Sequence, residues 1–259
     1  MTEFRIREFE PQKTKEHRVW LIIGPRGSGK TILLNDLLYH TRQRYYLPIA
    51  FTATTSSADL FKEILPPNFV YRDGYDYEKA DTCLKTAKEM TRREKHKPFL
   101  MILDDIAFDP KVFKSETQKE IHLNGRHSKI TLFNTTQYCM TLGPLIRSNV
   151  DYVICLQDSV LANRKRLYEF FFGFFDTFQQ FDTVFKQITN ENGALVLDKT
   201  CTSANINDSV FYYKARLDLP PFKIGARNFY MFYKVRLKEG KKKLEEGESG
   251  RTKIITVDK

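Results

Sequence analysis

At 259 residues, with 41% hydrophobic and 29% charged side chains, the chain has room for one large α/β domain or two small ones and is too apolar to be disordered. A net charge of +10 points to an anionic partner, nucleic acid ahead of a membrane surface. Secretory and membrane-spanning classes are not expected, since Met1 to Arg18 is polar and the most apolar stretch, Phe170–Phe175, is far too short to cross a bilayer.

Residues 1–17 read as a polar lead-in. Arg18 to Ile23 is then a short apolar run with a β-branched end, bounded by glycine, and predicts a buried strand. A helix over Lys30 to Arg44 follows, then a strand over Tyr46 to Thr52 that ends in a Ser/Thr-rich turn, Thr52 to Ser57. Ala58 to Leu65 predicts a helix stopped by Pro66-Pro67. Glu78 to Lys95 predicts a long amphipathic helix ending in a basic cluster. Phe99 to Leu103 is the next strand and runs directly into two aspartates. A helix over Ser115 to His122, a strand over Lys129 to Thr135 and a strand over Val150 to Leu156 complete the alternation.

Strands separated by helices imply right-handed βαβ crossovers, hence an α/β fold with a mainly parallel sheet sandwiched by helices. From Val160 to Thr189 the pattern turns helical, with Phe171, Phe174, Phe178, Phe181 and Phe185 as a stripe along one helix side, read as core packing. Strand-like runs return at Ala194 to Leu197 and Val210 to Leu217. The main folded domain is placed at 18–233, with its core at 18–190. Residues 234–259 carry 9 basic and 5 acidic residues and read as a flexible basic tail. Cys83, Cys139, Cys155 and Cys201 have no CxxC spacing, and the five histidines lack metal-ligand spacing, so reduced thiols and no zinc are expected.

Gly24-Pro25-Arg26-Gly27-Ser28-Gly29-Lys30-Thr31 fits G-x-x-x-x-G-K-[ST] at every fixed position, with a strand before it and a helix after it. Glycines let such a loop wrap a phosphate with backbone N–H groups pointing inward, and the helix presents its positive end to the same anion. Lys30 is expected to reach the β/γ-phosphates of ATP, and the Thr31 hydroxyl to ligate Mg²⁺. A carboxylate at the end of a neighbouring strand completes such a site, and Asp104 is assigned to the metal side. Asp105 is the candidate for polarising the attacking water, the alternative being a cap of the next turn. Gln137, where the strand Lys129 to Thr135 runs out, can hydrogen-bond both water and γ-phosphate, or it is an ordinary polar strand end.

These segments resemble the genome-packaging ATPases of large double-stranded DNA viruses (poxviruses, phycodnaviruses and relatives) in the FtsK–HerA superfamily. The resemblance lies in Gly24–Thr31, the acidic pair within Ile102–Ile106, the run Gly125–Tyr138 and the run Leu142–Leu156, within roughly residues 18–190. It implies a RecA-like P-loop core of central strand order 5-1-4-3-2 and a ring-shaped homo-oligomer that drives duplex DNA into a capsid. It further implies a capsid or portal partner and a place in the host-cell cytoplasm or viral factory, or on the virion. Asp105 then stands at the catalytic acid, Gln137 at the polar sensor, and Arg147 or Arg126 at the arginine supplied to the adjacent subunit.

Duplex gripped through its phosphates would meet Arg92, Arg93, Lys95, Lys97 and Arg164-Lys165-Arg166, each cluster being otherwise a solvated face. Two other functions fit parts of the pattern. One is a small-substrate nucleoside or nucleotide kinase with Asn163–Arg166 as an arginine-rich lid. The other is a nucleotide-gated assembly protein with little hydrolysis. The acid pair followed by Thr135-Thr136-Gln137 favours water as the acceptor.

Overall fold

The computed structural model describes residues 5–106, 109–203, 205–235 and 237. Its centre is a nine-stranded sheet. In chain order the strands are β1 (Arg7–Glu8), β2 (Val19–Ile23), β3 (Leu47–Thr52), β4 (Val70–Tyr71), β5 (Phe99–Asp104), β6 (Ile130–Thr136), β7 (Tyr152–Leu156), β8 (Gly193–Asp198) and β9 (Val210–Lys214). Their spatial order is β1-β9-β8-β7-β2-β6-β5-β3-β4. Strands β7, β2, β6, β5, β3 and β4 run parallel, whereas β8 is antiparallel to both β7 and β9. Numbered alone in chain order, β2, β3, β5, β6 and β7 lie as 5-1-4-3-2. The complete sheet departs from that order by β4 on one edge and β8, β9 and β1 on the other.

Every residue of β2, β5, β6 and β7 is buried, because both faces of the sheet are covered. Alternate side chains feed two cores. Trp20, Ile22, Leu100, Ile102, Phe133 and Ile154 pack under α1 (Lys30–Thr41) and α2 (Thr55–Ile64). Leu21, Ile23, Met101, Leu103, Leu132 and Val153 pack against the opposite layer. That layer is α3 (Tyr77–Arg92), α4 (Glu116–Asn124), α5 (Pro144–Ser148), α6 (Leu161–Phe171) and α7 (Phe178–Thr189).

Three sequence readings change. Helix α2 begins at Thr55 rather than Ala58, because the Thr54 hydroxyl caps it by accepting the Ser57 N–H at 3.3 Å. The phenylalanine stripe does not lie on one helix: α6 ends at Phe171 and α7 starts at Phe178, where Thr177 accepts the Gln180 N–H at 3.2 Å. Core packing holds for Phe171, Phe181 and Phe185, while Phe174 in the connection is 40% exposed. The lead-in is also part of the folded body. Arg7–Glu8 pair with Phe211–Tyr212, and Phe9 is buried with its ring 5.9 Å from Trp20. The basic tail over 234–259 lies outside the described residues, except 234, 235 and 237.

A phosphate-loop site at the strand ends

Because β2, β5 and β6 are parallel neighbours, the residues that follow them emerge together on one edge of the sheet. The sheet ladder continues one residue past β2, where the Gly24 N–H donates to the Thr136 carbonyl at 3.2 Å. A Cβ at Gly24 would come within 2.5 Å of Ser28 Oγ and 2.9 Å of Leu156 Cβ, so this glycine is required by contacts within the protein. The last glycine of the loop, Gly29, has φ 90°, a left-handed backbone that side chains resist, and a Cβ there would meet nothing within 4 Å. Arg26 and Gly27 are exposed at the tip, while Pro25, Ser28 and Thr31 are half-buried.

Lys30 opens α1 and is only 8% exposed. Its ammonium donates to the Gly24 carbonyl at 2.9 Å and the Pro25 carbonyl at 3.0 Å. Burial pushes its pKa down, and Asp105 and Asp104 pull it back up, so the lysine sits within electrostatic reach of both acids.

Asp104, the last residue of β5, is 1% exposed. Its Oδ1 accepts from the Thr135 hydroxyl at 2.7 Å, whereas Oδ2 is buried without a direct hydrogen-bond partner. Burial raises its pKa; the Ser57 and Thr135 hydroxyls and Lys30 oppose the shift. The chain then turns: Asp105 has φ 54°, and its N–H donates to the same Thr135 oxygen at 2.8 Å. One hydroxyl therefore holds both acids in place. The Gln137 amide donates to Asp105 Oδ1 at 3.2 Å and Oδ2 at 3.1 Å, so in this state the glutamine is bonded to Asp105.

Gly24 to Thr31, Asp104, Asp105 and Gln137 are thus brought together. Thr135 and Ser57 were missed by the sequence reading. A hydroxyl residue immediately before Thr136-Gln137, opposite a strand that ends in two acids, is the signal for Thr135; Ser57 has none. The orphaned Asp104 Oδ2, the unpartnered Ser28 Oγ and the open space beside Gly29 are the features a bound phosphate and its cation would use.

The two arginines lie apart from this cluster. Arg126 is exposed between α4 and β6, at the opposite end of the sheet, with its Nε 3.4 Å from His127 Nε2. Arg147 on α5 is half-buried, donates to the Leu142 carbonyl and stacks 4.0 Å over the Phe170 ring. Among the proposed DNA contacts, Arg164 is corrected. It is 6% exposed, paired with Asp182 and bonded to the Asp158 and Ser159 carbonyls, so it locks α6 onto α7. Arg92 and Arg93 both pair with Glu89, and Arg166 pairs with Glu169. Lys165 is exposed.

The fold and much of the sequence have relatives. The genome packaging NTPase B204 from Sulfolobus turreted icosahedral virus 2, solved with ATP-gammaS, superposes with a TM-score of 0.58 at 13% identity over 81% of this chain and 100% of that one. Protein 088R of Invertebrate iridescent virus 3 is 32% identical over 208 residues, 79% of each chain. Protein L437 of Acanthamoeba polyphaga mimivirus is 30% identical over 248 residues, 90% of this chain and 84% of its own. The pattern described as poxvirus A32 protein matches residues 6–166, and the chain accordingly belongs to the poxvirus A32 protein family.

Proposed function

We propose that this chain is the ATP-hydrolysing motor that drives duplex DNA into a viral capsid. The observation that carries the reading is the meeting of Lys30 with Asp104 and Asp105 at the ends of three adjacent parallel strands, beside a glycine loop. Likeness of fold to a genome packaging NTPase and membership of the A32 family support it.

Hydrolysis of a phosphoanhydride needs little covalent chemistry from protein, so positioning and charge neutralisation do the work. Backbone N–H groups of Gly27 to Thr31 would face the phosphates, with the N-terminus of α1 behind them. Lys30 would exchange its carbonyl partners for β/γ-phosphate oxygens. Thr31 and Asp104 would hold Mg²⁺, which supplies positive charge to the phosphates when bound. Asp105 would take the attacking water, with Gln137 moving between Asp105 and the γ-phosphate. An arginine from the adjacent subunit of a ring, Arg147 or Arg126, would complete each site.

The test is ATP turnover with and without linear duplex DNA. Turnover is expected to rise with duplex and to vanish in Lys30→Ala. Normal turnover in that variant removes the site assignment, and stimulation by nucleosides in place of duplex turns the reading into a kinase.

A further inference from the structure

The parallel strands enter the sheet on the edge opposite the phosphate loop, and backbone hydrogen bonds link their entry points into a row. The Lys199 N–H donates to the Asp151 carbonyl at 2.8 Å, and the Asp151 N–H to that of Val19 at 2.9 Å. The Leu132 N–H donates to the Arg18 carbonyl at 3.0 Å, and the Phe99 N–H to that of Lys129 at 2.9 Å. With strands about 4.8 Å apart, the four steps from β8 to β5 make a rigid edge roughly 19 Å long.

That edge is cationic. Lys199, Arg18, Lys129, Lys97 and Lys95 lie along it, with Arg126 flanking. Among the described residues only Arg18 of these has a carboxylate in ion-pair reach, Asp151 at 3.8 Å. Lys97 donates instead to the Tyr46 hydroxyl at 3.0 Å, and Lys199 to the Arg147 and Ser148 carbonyls at 3.2 and 3.1 Å. Lys95 and His96 are exposed. The carboxylates sharing the edge are Asp151, Asp198, Glu16 and Glu94. Three of them are already engaged: Asp151 accepts the Val19 N–H at 2.9 Å and faces Arg18, Asp198 accepts the Thr200 N–H at 2.7 Å, and Glu16 lies 3.7 Å from His17.

Residues 15–18, 94–97, 126–129, 148–151 and 198–200 contain no Phe, Tyr or Trp. A surface for single strands needs free aromatic platforms for unstacked bases, whereas the ring beside these segments, Tyr46, already has the Lys97 ammonium 4.2 Å over it and Phe229 packed 5.4 Å away. Point charges at fixed spacing suit the phosphates of an intact duplex, which present one charge per roughly 1.7 Å of axis.

Resting on the DNA-motor reading, we propose that the strand-entry edge, with Lys95 and Lys129 at the entries of β5 and β6, is the surface that grips duplex phosphates. It places the DNA contact at the far end of β6 from Gln137, about 23 Å away along seven residues. Strands β2 and β6, which run from Arg18 and Lys129 to Gly24 and Gln137, are then the rigid link between grip and site.

The test is the double variant Lys95→Gln/Lys129→Asn, asparagine being chosen because Lys129 has φ 56°, a conformation asparagine tolerates. Fluorescence anisotropy with a linear duplex across a salt series is compared with the charge-matched control Lys85→Gln/Lys119→Gln on the helical layer. The double variant is expected to bind roughly tenfold more weakly, with a salt slope smaller by about 2, while DNA-free ATP turnover and the control stay at wild-type values. Unchanged affinity and slope in the double variant would overturn the surface but leave the motor reading standing. Absence of duplex binding by the wild-type chain would remove both. Preferential binding of a single strand, lost in the double variant, would overturn the duplex assignment.

Discussion

Asp104, the proposed metal-side acid, is held at a cost to the fold. Its carboxyl is buried with one oxygen unpartnered, and burial raises its pKa from the ordinary aspartate value. The folded state therefore keeps a proton that the unfolded chain has already released. Below the unfolded pKa both states are protonated and the site costs nothing; stability falls as pH rises from there to the folded pKa and stays lower above it. Asp104→Asn keeps an oxygen for the Thr135 hydroxyl and removes the charge. Thermal unfolding of the nucleotide-free protein is expected to show a higher Tm for this variant at pH 7, with the gain shrinking toward acid. A lower Tm at pH 7 would show that the carboxylate is satisfied in the fold. At this scale the sequence was informative where chemistry dictates spacing, as in Gly24 to Thr31. It was silent on Thr135, because one hydroxyl that accepts from Asp105 and donates to Asp104 depends on the β5–β6 register.

Among the elements, the strands were the most legible. Apolar runs bounded by polar turns place β2, β5, β6 and β7 within two residues of their observed limits, since a strand buried on both faces must be apolar throughout. Periodicity failed between Phe171 and Phe178. Three- and four-residue spacing cannot distinguish one helix from two whose faces meet, and the cap at Thr177 decides between them only in the folded chain. Rings that look sequential along a helix in fact close on each other across the α6–α7 corner: Phe172 lies 5.0 Å and Phe175 5.9 Å from Phe181, while Phe185 meets it at 5.5 Å one turn along α7. Phe181, fully buried at the centre of that cluster, carries the corner. Phe181→Ala is expected to cost about 3–5 kcal/mol, measured by denaturant unfolding. A loss below about 1 kcal/mol would mean that the corner collapses around the gap.

Over the whole molecule, the parallel sheet separates two edges about one strand length apart. One carries the glycine loop, the acid pair and Gln137; the other carries lysines whose charges meet few acids. The edge additions β8, β9 and β1 were only partly visible in the sequence. A two-residue strand such as Arg7–Glu8 has no periodicity to read, and its place follows from pairing with β9. The +10 charge pointed to an anionic partner but not to a surface: Arg92 and Arg93 meet Glu89, and Arg166 meets Glu169, at ordinary helical spacing, whereas the pairing of Arg164 with Asp182 exists only because α6 meets α7. The central claim is that this strand-end cluster hydrolyses ATP with Asp105 directing water. The most direct measurement is ATP binding and steady-state turnover in Asp105→Asn. The account predicts near wild-type ATP affinity with turnover reduced at least a hundredfold; wild-type turnover in that variant would contradict it.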